Sequence, residues 1–123
     1  KGGRANMHVE KFKQSLDQTF RKHRPIAEYA NELGITHTQL NRVCKEVLGK
    51  TALEVIHKRI ITEAQRDLTY SNLSIKEIAY TLGFEDEAYF TRFFKRMHQM
   101  SPSQFRQNSG KNLKEIFDSQ TSF

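Results

Sequence analysis

One short pattern occurs twice in this sequence and limits what the chain can fold into. IAEYANELGI, which starts at Ile26, and IKEIAYTLGF, which starts at Ile75, both read I-x-E-x-A-x-x-L-G followed by an apolar residue. A second pattern follows each of them, an apolar residue with Arg two and Lys five positions further on, which starts at Leu40 and at Phe90. Apolar residues at this spacing form one face of a helix. The chain is therefore predicted to contain two copies of a short helix, a turn and a longer helix.

The residues around the second copy indicate where its helices begin and end. Ser74, with Glu77 three residues later, forms a capping box that starts a helix, and a left-handed Gly83 would end it. Asp86 can cap the longer helix that follows, and Pro102 suits the first turn of a further helix. A short helix, a glycine turn and a longer basic helix are typical of a helix-turn-helix, whose second helix enters a DNA major groove.

The first copy has matching signals at its ends. Pro25 can open the short helix, Thr36 can cap the longer one, and glycines can end both. Thr51 can then cap a long helix that connects the two copies. The predicted ranges are a flexible lead-in at 1–6, a DNA-binding domain at 7–107 with helix-turn-helix units at 25–49 and 74–98 and a linker helix at 51–68, and a C-terminal tail at 108–123. The tail is either partly ordered or docked onto the domain or a partner.

The second copy resembles the signature of the AraC/XylS family of transcription regulators. The resemblance lies in IKEIAYTLGFEDEAYFTRFFKR and SPSQFR, through the IA and GF pairs, the aromatic-Phe pair, the RFFK run and the SP..FR ending. The sequence departs from the family at Gln99, where glycine is usual. The resemblance implies an all-α, homeodomain-like domain of about seven helices, with two helix-turn-helix units joined by a long linker helix. It also implies a bacterial, cytoplasmic regulator, usually an activator that contacts RNA polymerase, with a sensing or dimerisation domain upstream.

The charge balance narrows the class of partner. The 123 residues carry a formal net charge of +6, and the pI is about 9.6. Such a balance favours a polyanion, either nucleic acid or an acidic membrane face. No apolar run approaches the ~18 residues of a membrane-spanning helix, so we expect no membrane span. A role at a membrane surface is disfavoured because the basic helices use their apolar faces for the core. The single Cys44 cannot form an internal disulfide, which fits a reducing cytoplasm, and the start at Lys1 instead of Met indicates a fragment or a processed chain.

The sequence contains no recognised catalytic motif. A P-loop, GxSxG, HExxH and a dinucleotide glycine pattern are all missing, and Cys44 has no zinc-type spacing to a histidine. We therefore expect no enzyme, no cofactor and no metal. Phe90, Phe93 and Phe94 have core spacing, which disfavours single-strand or RNA stacking and leaves Tyr89 as the ambiguous aromatic. A protein-binding helical adaptor remains the alternative to a binder of double-stranded DNA.

The residues that could read bases lie on the outward face of the longer helix in each copy. Arg42 could pair with O6 and N7 of guanine, and Asn41 with N6 and N7 of adenine; the alternative for Asn41 is an ordinary exposed helix residue. Glu87 could accept from N4 of cytosine or place a favourable charge at a helix start. The predicted base contacts are His37, Thr38, Asn41 and Arg42 in the first copy, and Glu87, Ala88, Thr91 and Arg92 in the second.

Phosphate contacts are predicted from basic side chains beside these faces and from the helix start near Pro102. Free backbone N–H groups at a helix start bind phosphate oxygens. Lys76 and Arg106 could either contact phosphate or remain solvated charges. The predicted phosphate contacts are Lys45, Lys50, Lys95, Arg96, Ser101 and Ser103.

Overall fold

The computed structural model describes residues 3–110 of the chain. Within that range the backbone forms seven helices, one short 3-10 turn and no strand. The helices are α1 (Gly3–Thr19), α2 (Ile26–Glu32), α3 (His37–Leu48), α4 (Ala52–Tyr70), α5 (Ile75–Thr81), α6 (Glu87–His98) and α7 (residues 102–110), and the 3-10 turn is Phe20–Lys22. The predicted all-α fold of about seven helices is confirmed.

The chain divides within α4 into two compact units, one ending at Ile60 and the other beginning at Ile61. The first unit holds α1, α2, α3 and the first half of α4, and the second holds the rest of α4 with α5, α6 and α7. Ile56 and Ile60 are buried in the first unit, and Ile61 and Ala64 are buried in the second. Each unit contains one helix-turn-helix, formed by α2–α3 and by α5–α6.

The first helix begins earlier than the apolar pattern indicates. We predict a flexible lead-in at 1–6, but α1 begins at Gly3, so residues 3–6 are helical. Ala5 is buried one turn before Val9 and extends the apolar stripe of this helix, and a pattern built on larger apolar residues missed it. At the other end, α7 continues through 108–110, where we place the start of the tail, and residues 111–123 lie outside the described range.

The predicted helix starts are confirmed by their hydrogen bonds. In α3, the Thr36 hydroxyl accepts from the Gln39 N–H at 3.0 Å, and the Gln39 amide oxygen accepts from the Thr36 N–H at 2.8 Å. Ser74 and Glu77 form the same reciprocal pair at the start of α5, at 3.0 and 2.8 Å. These bonds hold the pKa of Glu77 below its ordinary value. The Asp86 side chain caps α6. Local sequence therefore determines where α3, α5 and α6 begin.

The helix ends depend on residues in the left-handed conformation. Gly34 and Gly83 form the two turns, with φ of 73° and 89°. Gly49 ends α3 with φ 70°, and Gln99 ends α6 with φ 61°. A residue with a side chain pays about 1–2 kcal/mol for this conformation. With Gln99 in place of the usual glycine, α6 still ends at this position, but the left-handed conformation there costs more conformational free energy.

The core of the first unit fixes α3 from two sides, because both α1 and α2 pack against it. The ring of Phe12 in α1 meets the ring of Tyr29 in α2 edge-on, with centroids 5.3 Å apart. The Tyr29 hydroxyl shares a 2.8 Å hydrogen bond with Thr19. Leu40 and Cys44 on α3 are completely buried. The inward face of α3 is thus committed to packing, which leaves the opposite face for a partner.

The core of the second unit is built from phenylalanine rings. Phe84 follows the turn and packs on Phe90 and Phe93, each with a centroid distance of 5.3 Å. Phe94 meets Phe105 of α7 at 5.5 Å. Phe90, Phe93 and Phe94 are buried, as predicted, whereas Tyr89 is 56% exposed. The phenylalanines are therefore core residues and not platforms for base stacking.

Replacing Gln99 by glycine should stabilise the second unit, because glycine has no side-chain penalty in the left-handed conformation. We expect the free energy of unfolding to rise by about 0.5–1 kcal/mol, since the greater freedom of glycine in the unfolded chain offsets part of the gain. Gly49→Gln is the matched change in the first unit and should lower stability by a similar amount; no atom lies within 4 Å of a Cβ at that position, so conformation alone decides. Urea denaturation measures both, and a destabilised Gln99→Gly variant would contradict the argument.

Candidate nucleic-acid interface

The longer helices α3 and α6 expose matching positions. Arg42 and Lys45 on α3 are exposed, and so are Arg92 and Lys95 on α6. The apolar residues that alternate with them in each helix are buried. Residues three and four apart share one face of a helix. Each helix therefore presents a basic outward face while its other face belongs to the core.

In the first unit, three of the four predicted base contacts lie together in the open. His37 and Thr38 are exposed in the first turn of α3, and Arg42 is exposed one turn later. Asn41 is half-buried, and its Oδ1 accepts a hydrogen bond from the backbone N–H of Ala52 at 2.9 Å. Bidentate pairing with adenine needs the oxygen and the nitrogen of the amide to face the base. In this structure that oxygen faces the start of α4 instead.

In the second unit, the predicted contacts form a mixed surface. Glu87 and Ala88 are exposed in the first turn of α6, and Thr91 is half-buried. The guanidinium carbon of Arg92 lies 5.8 Å from the centroid of the exposed Tyr89 ring. Glu87 is the first residue of α6, where a negative charge is favourable, which supports the helix-start alternative for it. Arg92 is the cation best placed for a base.

The predicted phosphate contacts are of two kinds. Ser101 is half-buried, and its Oγ accepts from the Gln104 N–H at 3.1 Å, so its side chain already caps α7. Ser103 is exposed in the first turn of α7. The remaining predicted contacts are long basic side chains, and all of them are exposed: Lys45, Lys50, Lys95 and Arg96.

Charge is distributed unequally between the two outward faces. Arg96 is exposed on α6 and lies over the Phe93 ring at 5.9 Å from its centroid. The matching position on α3 carries the exposed Glu46. Beyond its first turn, the face of α6 therefore combines three cations, while the face of α3 carries a carboxylate beside Arg42 and Lys45.

A surface cleft in the first unit brings α1 next to the outward face of α3, and the sequence analysis missed it. Its lining includes polar side chains from both helices: Arg4, His8, Gln39, Arg42 and Glu46. Arg4 and His8 lie one turn apart on α1, a spacing visible in the sequence, but we place Arg4 in a flexible lead-in. Because residues 3–6 are helical, this cation and this imidazole join the surface around Arg42.

Arg106 has a structural partner that neither sequence-based alternative anticipates. Its Nε donates to the Leu68 carbonyl at 3.0 Å, and its Nη2 donates to the Ser71 carbonyl at 3.3 Å. The last carbonyls of a helix have no partner within the helix. Arg106 therefore caps the C-terminal end of α4 and is part of the packing of the second unit.

The described residues give little support to a reactive thiol, a metal site or a membrane-spanning helix. Cys44 is completely buried, and burial raises the pKa of its thiol to about 11, so the reactive thiolate is disfavoured. Within residues 3–110, no three His, Cys, Asp or Glu side chains are grouped closely enough to hold a metal ion. Nor is any helix in that range both long enough and apolar enough to cross a membrane.

Comparisons with known proteins agree with this geometry. Residues 29–108 match the model of a helix-turn-helix domain family. The chain is 38% identical over 83 residues to the probable transcription factor PqrA of Proteus vulgaris, covering 68% of each chain. The C-terminal domain of AraT, a response regulator from Geobacillus stearothermophilus, matches with a TM-score of 0.76 at 26% identity, over 82% of this chain and 84% of that one. The DNA-binding domain of the transcriptional factor AdpA, solved with a target DNA, matches with a TM-score of 0.72 at 21% identity, over 82% and 90%.

The two helix-turn-helix units and their relatives define a DNA-binding transcription regulator, not an enzyme. The chain belongs to the AraC/XylS family of helix-turn-helix regulators, as its second copy indicates. Other curated relatives are longer proteins, and the chain spans 37% of one and 24% of another.

Replacing Arg106 by alanine should destabilise the second unit, because the carbonyls at the end of α4 lose a charged donor. Hydrogen bonds to charged groups contribute about 1.5–3 kcal/mol, and we expect a loss in that range. Arg66→Ala removes the same charge from an exposed position on α4 and should change stability by less than about 0.5 kcal/mol. Thermal denaturation compares the two. An Arg106→Ala variant that melts normally but binds every duplex more weakly would make Arg106 a phosphate contact.

Proposed function

We propose that this chain binds a specific double-stranded DNA site, with α3 and α6 inserted in adjacent major grooves. The observation that carries the proposal is the matching exposure of α3 and α6, in which the same positions are basic and open in both helices. Packing does not require exposed arginine and lysine at repeated positions. A groove lined with phosphates and base edges explains both the charge and the donors.

The proposed contacts follow from the exposure of each side chain. Arg42 and Arg92 are the principal base readers, because each exposed guanidinium can pair with O6 and N7 of guanine. His37 and Thr38 in the first unit, and Ala88 and Thr91 in the second, supply weaker base contacts. The proposed phosphate contacts are Lys45, Lys50, Lys95, Arg96, Ser103 and the capped start of α7 at Ser101.

The proposed site is asymmetric. The first unit offers His37 and Thr38 where the second offers Glu87 and Ala88, so the two units should prefer different base pairs. Both units lie in one chain, and a monomer can therefore occupy both half-sites. A symmetric dimer would instead favour a palindrome.

The role of the whole protein is inferred from the family resemblance alone. We propose a cytoplasmic activator that contacts RNA polymerase and is controlled by a sensing or dimerisation domain elsewhere in the full protein. The basic outward faces support the DNA-binding part of this proposal.

Readers and phosphate contacts should respond differently to substitution. Arg42→Ala or Arg92→Ala should weaken binding to the preferred site by ~1–3 kcal/mol and relax the preference at one base position. Lys95→Ala is the control, and it should weaken binding to all duplexes alike. Quantitative binding to a set of single-base variants of the site measures this. If the arginine variants lose affinity equally for specific and random duplexes, both arginines are phosphate contacts.

The spacing of the half-sites should matter, because α4 is a continuous helix of 19 residues, about 28 Å long at 1.5 Å per residue. Inserting 5 bp between the half-sites turns one of them to the opposite side of the duplex. Affinity should then fall to that of a single half-site, whereas 5 bp inserted outside the site should have no effect. Undiminished binding to the first duplex would mean that the linker is flexible or that only one unit binds.

A further inference from the structure

The contact between Asn41 and α4 satisfies a specific backbone group. Ala52 is the first residue of α4 and is completely buried. The first N–H groups of a helix have no partner within it, and a buried one without any partner costs stability. The Asn41 Oδ1 accepts from this N–H at 2.9 Å. The hydrogen bond therefore joins α3, the helix proposed to read DNA, to the start of the next helix within the same unit.

The N–H groups of Thr51 and Glu54 are satisfied by a capping box and not by Asn41. The Thr51 hydroxyl accepts from the Glu54 N–H at 3.1 Å, and the Glu54 carboxylate accepts from the Thr51 N–H at 2.8 Å. This capping box makes no bond to the Ala52 N–H. Asn41 thus supplies the acceptor for the Ala52 N–H, which this capping box does not contact.

The second unit has the same helix start without this requirement. Pro102 occupies the position that matches Ala52 and is also buried, and Ser101 caps α7 as Thr51 caps α4. Proline has no N–H group, so no acceptor is needed. The position that matches Asn41 is Thr91, whose side chain is shorter. In the first copy, the Asn41 side chain accepts from the Ala52 N–H. In the second copy, proline removes that N–H, and threonine stands in place of the asparagine.

We propose that Asn41 is a positioning residue, which holds the outward face of α3 in a fixed orientation against the start of α4 and does not itself read a base. The inference rests on the proposed function, in which α3 enters a major groove. Side chains that recognise a partner need to be held within about 0.5 Å of the productive geometry. Asn41 precedes the exposed Arg42 directly, so a contact at Asn41 restrains the backbone that carries this reader.

A double-mutant cycle tests the contact in the protein without DNA. Asn41→Ala leaves the Ala52 N–H buried without an acceptor, and the melting temperature should fall by roughly 3–8 °C. Ala52→Pro puts a ring carbon where the N–H hydrogen points, against the Asn41 oxygen, and should also lower it. Ala52→Pro with Asn41→Ala removes both the donor and the acceptor, as the second unit does, and should melt higher than either single variant. Strictly additive losses would overturn the proposal.

Binding to DNA then separates positioning from reading. A base reader lost from α3 would reduce the preference at one base pair by roughly fivefold or more, equivalent to ~1–3 kcal/mol. We expect Asn41→Ala to weaken binding and to relax the preference only at the base pair that Arg42 reads, because Asn41 restrains the backbone of that reader. The paired variant with Ala52→Pro should recover the lost affinity. Loss of one preference in both variants would make Asn41 a base reader.

The conservative variant Asn41→Asp tests independently whether residue 41 positions α3 or reads a base. Aspartate keeps an acceptor for the Ala52 N–H but has no amide donor, so the melting temperature should stay within about 2 °C of the parent. Its charge should weaken binding to all duplexes alike while the base preferences remain. A preference lost at one position would overturn the proposal. If the parent protein selects no duplex sequence at all, the proposed function fails. The double-mutant cycle of melting temperatures then still decides whether Asn41 holds the start of α4.

Discussion

Each of the two helices proposed to face DNA must pack one side against the core and keep the other side free, and the rest of the structure depends on that constraint. α3 is fixed by α1 and α2, and α6 is fixed by the ring cluster around Phe84. Capping side chains and left-handed residues set where each helix starts and stops. The exposed arginines and lysines are therefore presented by helices whose positions are set mainly by the buried side chains of each unit.

Features controlled by neighbouring residues could be predicted from the sequence. The capping boxes at Thr36 and Ser74, the turns at Gly34 and Gly83, and the burial of the phenylalanines all follow from short spacings. The Asn41 bond to Ala52 and the Arg106 cap on α4 join residues 11 and 38 positions apart, and no periodic pattern marks them. For the same reason the sequence suggests a base reader at Asn41 and an exposed cation at Arg106. The base and phosphate contacts themselves remain predictions.

The two copies share a backbone plan but stabilise it with different contacts. In the first unit, Arg24 pairs with Glu28 and Glu32 and lies over the Tyr29 ring. In the second unit, Arg106 of α7 instead donates to the backbone carbonyls at the end of α4. The two copies thus keep similar helix limits and buried sides with different supporting interactions. What persists in both copies is the pattern of exposure.

The hydrogen bond that Asn41 accepts from Ala52 affects how the DNA specificity of this protein could be redesigned. A library that randomises the open positions of α3, such as His37, Thr38 and Arg42, changes the proposed DNA contacts without disturbing the fold, because these side chains are not part of the core. Including position 41 in the same library would destabilise most members, since few residue types can accept from the Ala52 N–H. Varying residue 52 together with residue 41, with proline as the alternative to alanine, should restore the stability of those members.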